Sequence, residues 1–427
     1  MSASRFRVPC AAIGSVLSDA EIAAVTEVIE TGGALSQGPA RDRFDLAFAA
    51  TTGTRHAFSV TSGTVALAFA VHLLNLRPGD EVIVTPQTYK ATIQPLLDHE
   101  VTVRFCDIDA DSMNVDPDAF AALVTPRTRA LLMVHYGGFP ADMGRIMAIA
   151  RKHDILVVED CAHALGSTYH GRRPGALADI GCFSFHSSKN ITTLGEGGML
   201  TFDRDDWAQR VARIRSNDAD GDYEPVSGLI RGTELAPTWA VHSGEAYTRL
   251  CREVRWAGSN ATLSEASAAV GLVQMARLAE LVGRRRSIAA RLEERLLGVP
   301  GVRVPTVPPE STHAYHLYTF FLEPEFGMTR DAVLARMEEL GVQMQLRYLP
   351  LYLQPEWRHR GHGPGECPTA ERLWFDEQVN LPCYPSLRDD QVDHMLAALD
   401  TVLAEAAGRP AAPVGAGTGP TGGTSWL

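Results

Sequence analysis

The stretch from residue 181 to 198 combines one lysine with small, hydroxylated and glycine residues. Lys189 lies between an aromatic, strand-like run and a group of glycines, where the backbone can pass close to a ligand. Lysines are very few in this chain, and arginine carries most of the basic charge. A primary amine can form a Schiff base with a carbonyl, and a guanidinium cannot. Lys189 is therefore a candidate for covalent chemistry, with a surface lysine in a polar loop as the alternative.

Two further groups that follow strand-like runs could hold a phosphorylated pyridine aldehyde. Ser62, Gly63 and Thr64 come after a short strand and open a helix, whose first backbone N–H groups can bind a phosphate together with the two hydroxyls. Asp160 ends another strand-like run and could pair with a protonated ring nitrogen, which would keep the ring electron-poor. Simple helix N-caps are the alternative for both the serine and the aspartate.

Three more side chains complete the candidate site. Tyr89 follows a buried strand and could stack on a flat ring, and His163 could hydrogen-bond the phenolic oxygen of that ring. Ser184 lies five residues before Lys189. Each residue alone is equally explained by core packing or by a polar loop. Together they place a phosphate holder, a ring stacker, a partner for the ring nitrogen and an amine at successive strand ends of one sheet.

Strand-like and helical patterns alternate through the first half of the chain, which predicts an α/β fold. The strand-like runs are apolar on both faces, as in a parallel sheet covered on both sides, and ligands of such sheets lie at the carboxyl ends of the strands. Ser18 is a predicted N-cap, and Asp116 with Pro117 predicts a second helix start. The predicted helices span residues 64–76, 91–99, 118–124, 142–153, 262–297, 330–340 and 389–407.

The length of 427 residues is sufficient for two domains. We expect an N-terminal segment at 1–20, a large cofactor-binding domain at 21–297 and a smaller domain at 298–407. Residues 217–256 are rich in Gly, Asp and Glu and predict a long loop or insertion within the large domain. Residues 408–427 are mostly Gly, Pro, Ala and Thr and predict a disordered tail.

Composition argues against several classes of function. Apolar residues make up 45% of the chain without a run of membrane-spanning length, so we expect no membrane partner. The formal net charge of −12 is unfavourable to nucleic-acid binding. Seven cysteines without a Cys-x-x-Cys pair indicate free thiols and no metal site. The N-terminus lacks the apolar core of a signal peptide, so we expect a cytoplasmic protein.

These motifs resemble the DegT/DnrJ/EryC1/StrS family of sugar and cyclitol aminotransferases, which depend on pyridoxal 5'-phosphate. The resemblance spans residues 15 to 405. It implies a fold type I architecture, with a large domain built on a mostly parallel sheet and a smaller α+β C-terminal domain. It also implies a homodimer with shared active sites. The runs that carry the resemblance are residues 62–64, 79–84, 134–138, 140–143, 159–163, 183–185 with 189, 195–198, 315–318 and 381–387.

The resemblance assigns a role to each residue of the candidate site. Lys189 takes the Schiff base with the cofactor and Asp160 the pyridine nitrogen. His163 takes the phenolic oxygen and Tyr89 the stacking position. The residues implied at the phosphate are Ser62, Gly63, Thr64, Ser184 and, from the neighbouring subunit, Asn260.

The chain departs from the family pattern after Asn260, where Ala261, Thr262 and Leu263 stand in a run that usually contains an arginine. That arginine's expected partner is the carboxylate of the amino donor. Candidates to replace it are Arg231, Arg255 and Arg347, and the residues expected to bind substrate are His316, Arg347, Tyr352 and Arg231.

The resemblance implies transfer of an amino group from glutamate or glutamine to a keto sugar, often nucleotide-linked, or to a keto cyclitol. The high Ala, Arg and Gly content suggests a GC-rich genome and an antibiotic or other secondary-metabolite pathway. Two alternatives remain. One is dehydration, epimerisation or oxidation by the same cofactor, although relatives that dehydrate carry histidine at the position of Lys189. The other is a regulator without catalysis.

Overall fold

The computed structural model describes residues 5–10, 13–216, 229–230, 233–234 and 258–408. The predictions for residues 217–256 and for the tail from 408 fall almost wholly outside these ranges. The described helices are α1 Asp19–Glu30, α2 Pro39–Thr52, α3 Gly63–Leu73, α4 Pro117–Leu123, α5 Met143–Lys152, α6 Asp205–Arg215, α7 Glu265–Ala276, α8 Leu278–Leu296, α9 Arg330–Glu339, α10 Pro355–Arg358, α11 Pro368–Arg372 and α12 Asp389–Ala406. The described strands are β1 His56–Val60, β2 Glu81–Val84, β3 Thr102–Phe105, β4 Thr128–Val134, β5 Leu156–Asp160, β6 Ile180–Ser184, β7 Gly198–Phe202, β8 Leu229–Ile230, β9 Thr233–Glu234, β10 Val302–Arg303, β11 Tyr318–Leu322 and β12 Gln378–Leu381.

The main sheet has seven strands in the order β1, β7, β6, β5, β4, β2, β3. All neighbouring pairs from β6 to β3 are parallel, whereas β7 is antiparallel to both β1 and β6. The register pairs Asp160 with Cys182, and Gly198 with both Ser184 and Val60. The ends of β1, β5 and β6 therefore meet at one edge of the sheet, as the sequence predicted.

Both faces of the main sheet are covered because its strands are apolar at successive positions. Val82 and Val84 of β2 point into one buried cluster, and Ile83 between them points into another. Neighbouring β4 divides in the same way. Residues of successive positions alternate between the faces of a strand, so an unbroken apolar run indicates a sheet buried on both sides.

A second sheet lies in the C-terminal part of the chain, with β10, β11 and β12 antiparallel in that order. Its core includes residues of α9 and α12, together with the second half of α8 from Ile288. Val8 of the N-terminal segment joins this core and pairs with Val342. The chain thus has the fold type I arrangement of a larger α/β part and a smaller α+β part.

Local signals for helix starts were confirmed, and one predicted helix was wrong. Ser18 caps α1 in a capping box with Glu21, and Asp116 caps α4 with Pro117 in its first turn. The helix predicted at 91–99 is instead two short 3-10 segments, Lys90–Thr92 and Gln94–Asp98, the second of which begins around Pro95. Proline lacks the N–H that a continuous α-helix would use there.

Within the described ranges, no individual helix combines the length and apolar character needed to cross a membrane. The bent pair α7 and α8, at 57°, meets that criterion by length and composition only. A buried group of possible metal ligands, His135, Glu159 and Cys161, serves the fold. Glu159 accepts hydrogen bonds from His135 and from three backbone N–H groups of the segment 175–178.

Candidate active site

A cavity of about 680 Å³ opens at the carboxyl edge of the main sheet. Residues at the ends of strands of the main sheet line it on one side, and the segment 345–349, which precedes β12 in the chain, lines it on the other. Sugar-sized and cofactor-sized ligands are usually held in cavities of this order. The residues predicted for the cofactor that line it are Ser62, Gly63, Thr64, Tyr89, Asp160, His163, Ser184 and Lys189.

The start of α3 packs against the end of β6 so closely that only glycine fits. A Cβ at Gly63 would lie 2.7 Å from Cβ of Ser184, and a Cβ at Gly198 would lie 2.4 Å from the Ser62 carbonyl. Ser62 is the N-cap of α3, and its hydroxyl accepts a hydrogen bond from Val65 N at 3.2 Å. The N–H groups of Gly63 and Thr64 belong to the first helical turn and have no intrahelical acceptor. This corner of the cavity can therefore hold an anionic group.

Lys189 follows β6 and lines the cavity. Burial lowers the pKa of its amine to about 8 from an ordinary 10.5; the charge of Arg347 acts in the same direction, and that of Asp160 opposes both. A substantial fraction of this amine is uncharged at neutral pH, which an exposed lysine does not achieve. Lys189 thus has the chemistry of a nucleophile and of a base.

Asp160 is buried at the end of β5 and is held by two donors. The hydroxyl of Thr92 donates to Oδ2 at 2.6 Å, and the backbone N–H of Ala162 donates to Oδ1 at 3.0 Å. Thr92 is itself 2.7 Å from the hydroxyl of Thr88. Thr92 was not predicted as a site residue, because a threonine after Tyr89 in a predicted helix carries no signal of its own.

His163 is 2% exposed and lies among aromatic rings. Its Nε2 is 3.2 Å from the hydroxyl of Tyr348, and its ring stacks on that of His316 with centroids 4.3 Å apart. Burial lowers the pKa of His163 well below its usual value, and the charges of Lys189 and Arg347 act in the same direction. The imidazole is therefore neutral. Its Nδ1 has no protein partner within the described residues.

Tyr89 and Tyr348 form the aromatic wall of the cavity. Their rings meet edge to face with centroids 6.2 Å apart, and Tyr89 is 51% exposed. Tyr348 was also missed in the sequence. Its only signal was its position next to Arg347, and the fold that brings it to the large sheet is not readable from local pattern.

The predicted substrate residues are divided by the structure. Arg347 lines the cavity, whereas His316 is 7% exposed and borders a smaller neighbouring cavity. Nδ1 of His316 donates a hydrogen bond to Oδ1 of Asn190 at 3.1 Å. Tyr352 is fully buried against Phe105, and its hydroxyl bonds to Glu371, so the expectation that it binds substrate is not supported. The reason is the apolar cluster around β3, which takes up the ring.

Two predicted residues lie elsewhere. Asn260 is exposed and does not line the cavity of its own chain. Arg231 and Arg255 lie outside the described residues.

Comparison with known proteins gives the relationship of the chain. The model of the DegT/DnrJ/EryC1/StrS aminotransferase family matches residues 16–400. The chain is 35% identical to the spore coat polysaccharide biosynthesis protein SpsC of Bacillus subtilis, over 90% of this chain and 94% of that protein. Its sequence is 31% identical to that of the aminotransferase TlmJ from Streptoalloteichus hindustanus. The crystal structure of TlmJ superposes on this chain with a TM-score of 0.79, over 93% of this chain and 99% of that one. The sugar aminotransferase CalS13 from Micromonospora echinospora is 26% identical, with a TM-score of 0.76 over 92% and 99% of the two chains. The chain therefore belongs to the DegT/DnrJ/EryC1/StrS aminotransferase family and is a pyridoxal-phosphate-dependent aminotransferase.

Proposed function

We propose that this chain moves an amino group from glutamate or glutamine to the keto group of a sugar, often nucleotide-linked, or of a cyclitol. The observation that carries the proposal is Lys189, whose pKa burial lowers to about 8, in one cavity with Asp160 and the glycine-lined start of α3. The similarity to CalS13, a sugar aminotransferase, and to SpsC, a spore coat polysaccharide biosynthesis protein, supports a sugar acceptor. The high Ala, Arg and Gly content supports a secondary-metabolite pathway, and seven cysteines without a Cys-x-x-Cys pair support a reducing compartment such as the cytoplasm.

The donor set of the cavity fits pyridoxal phosphate. The crowded corner formed by Gly63 and Ser184 suits a phosphate, and the buried carboxylate of Asp160 suits a protonated ring nitrogen. His163 brings a neutral imidazole to the cavity, and Tyr89 brings an exposed ring. Lys189 would hold the cofactor covalently. When bound, the cofactor supplies the electron sink that takes up negative charge from the substrate carbon.

The chain's own residues then supply the proton chemistry. Once released from the cofactor, Lys189, with a pKa of about 8, can take the proton from the α-carbon of the amino donor as a free amine. The resulting ammonium would deliver that proton to the bound cofactor and not back to the same carbon. Thr92 and the backbone N–H of Ala162 hold the carboxylate of Asp160 in place. There the carboxylate would favour the protonated form of the ring nitrogen of the cofactor. Tyr89, Tyr348 and His163 line one side of the cavity and supply flat rings against which a ring-shaped ligand can pack.

The partner subunit completes the proposal. Exposed Asn260 suits a residue that reaches the phosphate site of a neighbouring copy, and we propose a homodimer on this ground together with the resemblance. We also propose a division into a large domain at 21–297 and a small one at 298–407. The first turns of α8 pack in the core of the large part, and its second half from Ile288 packs with the second sheet. This packing supports α8 as the link between the large and the small domain.

Two half-reactions test this proposal. The full-length holoenzyme mixed with glutamate should release a keto acid and change the absorbance of the bound cofactor, and a nucleotide-linked keto sugar should then restore the first spectrum. Asp160→Asn should lose most activity and retain cofactor poorly, because an amide cannot neutralise a charged ring nitrogen. Lys189→Ala should lose both half-reactions, whereas the control Lys152→Ala, at an exposed lysine of α5, should keep them.

Elimination of water from the sugar without release of a keto acid would favour the dehydratase alternative. Normal turnover by Asp160→Asn would contradict the role given to that residue. Binding of the cofactor without either half-reaction would favour the non-catalytic alternative.

A further inference from the structure

Arg347 is the one arginine among the described residues that lines the cavity. Its Nη2 donates a hydrogen bond to Oε1 of Gln345 at 2.7 Å, and within the described ranges its guanidinium forms no ion pair with a carboxylate. A guanidinium has five N–H donors in a planar fork that matches a carboxylate. The guanidinium also lies 5.9 Å from the centre of the Tyr348 ring and beside the Tyr348 hydroxyl. These contacts are to neutral groups, so further donors of the fork and its unpaired positive charge are available to a ligand.

The position of Arg347 is fixed from both sheets. Its backbone N–H donates to Oδ1 of Asn380 on β12 at 3.1 Å. Its carbonyl accepts hydrogen bonds from the side chain of Gln378, also on β12, and from the hydroxyl of Tyr136, which follows β4. A side chain anchored in this way starts from a rigid point, so less conformational freedom is lost when it binds a ligand.

We propose that Arg347 is the binding site for the α-carboxylate of the amino donor. The inference rests on the proposed function, and it names the group that recognises the donor. In an amino acid the carboxylate is attached to the same carbon that loses its proton to Lys189, so it must lie close to that amine. The diphosphate of a nucleotide-linked sugar is several bonds away from the keto carbon and has no such constraint.

The cavity offers no other described guanidinium for this task. The group of residues proposed to hold the phosphate consists of residues 62–64 at the start of α3 and Ser184. The guanidinium of Arg347 instead donates to Gln345. Arg231 and Arg255, the other two candidates in the sequence, lie outside the described residues and serve as competing variants in the test.

The test compares donors with and without the negative charge. Full-length holoenzyme is mixed with glutamate or with the α-amide of glutamate, and the rate of the amino-acid half-reaction is measured. Arg347→Met should lower kcat/KM for glutamate on the order of 10²-fold or more, and kcat/KM for the α-amide much less, because only glutamate offers the charged α-carboxylate. Arg347→Lys should fall between, since an ammonium keeps the charge and loses the fork. Arg358→Met, an exposed arginine of α10 outside the cavity, should behave like the parent.

A second measurement needs no turnover. α-Methylglutamate has no proton on its α-carbon, so it can bind without turnover. Its affinity for the holoenzyme, measured by calorimetry, should fall on the order of 10²-fold in Arg347→Met. The reverse half-reaction from an aminated sugar should fall far less than the glutamate half-reaction, because that substrate lacks the carboxylate.

Three results would overturn the proposal. Arg347→Met could keep the preference for glutamate over its α-amide, it could impair the aminated sugar as strongly as glutamate, or Arg231→Met or Arg255→Met could cause the loss instead. A wild-type enzyme that processes no amino acid contradicts the proposed function separately. In that case binding of α-methylglutamate still decides whether Arg347 holds a carboxylate, and no binding refutes it.

Discussion

The lowered pKa of Lys189 makes the strongest quantitative prediction of this structure. Burial brings the pKa to about 8, compared with an ordinary value of 10.5. At about pH 7.5, roughly a quarter of such an amine is uncharged, compared with about one part in a thousand for an ordinary lysine. In the cofactor-free protein, the uncharged fraction of Lys189 should therefore be roughly 200 times that of an ordinary lysine at this pH.

Competitive acetylation with a trace of labelled anhydride measures this pKa directly. The chain has three lysines, Lys90, Lys152 and Lys189, so peptide mass spectrometry can follow each one separately from acidic to alkaline pH. Lys90 and Lys152 are exposed and act as internal references. The midpoint of the Lys189 curve reports ionisation, whereas its height depends on access of the reagent, and only the midpoint is compared.

Two variants should move that midpoint in opposite directions. Asp160→Asn removes the negative charge that raises the pKa and should lower the midpoint further. Arg347→Met removes a positive charge that lowers it and should raise the midpoint. A Lys189 curve that titrates together with those of Lys90 and Lys152, or a shift of both variants in the same direction, would refute the reasoning.

Two other predictions concern packing and stability. Gly63→Ala should weaken cofactor binding on the order of 10-fold or more, because its Cβ would lie 2.7 Å from Cβ of Ser184. Equilibrium dialysis measures this affinity, and Gly33→Ala, whose Cβ meets nothing within 4 Å, is the control. Equal affinity of the two variants would contradict the prediction. Arg285→Met should lower the free energy of unfolding by about 3 kcal/mol in urea, because the buried guanidinium donates to the carbonyls of Gly14, Tyr315, His316 and Cys383; a loss below about 1 kcal/mol would contradict this account.

Much of the fold was predictable because buried parallel strands have a strong local pattern. The runs ending at Val60, Asp160 and Ser184 were assigned to one sheet, and their ends lie at one edge of it: Gly198 pairs with Val60 and Ser184, and Asp160 pairs with Cys182. The reversed direction of β7 was not predictable, because an apolar five-residue strand reads the same in a parallel and in an antiparallel pair. Its direction follows only from packing of the whole sheet.

The candidate site was predictable where a residue type had a specific chemistry at a strand end. Lys189 and Asp160 are of this kind. Thr92 and Tyr348 were missed because their contacts depend on long-range packing: 68 residues separate Thr92 from Asp160, and 185 separate Tyr348 from His163. Tyr352 was misjudged for the same reason, since only the fold determines whether its ring faces the cavity or Phe105.

Reduction of the full-length holoenzyme with borohydride, followed by peptide mass mapping, tests the central claim most directly. With only three lysines in the chain, the site of attachment is unambiguous. The account predicts a reduced cofactor on the peptide that contains Lys189, and none on the peptides of Lys90 or Lys152. Attachment to either of those two residues, or undiminished attachment in Lys189→Ala, would contradict it.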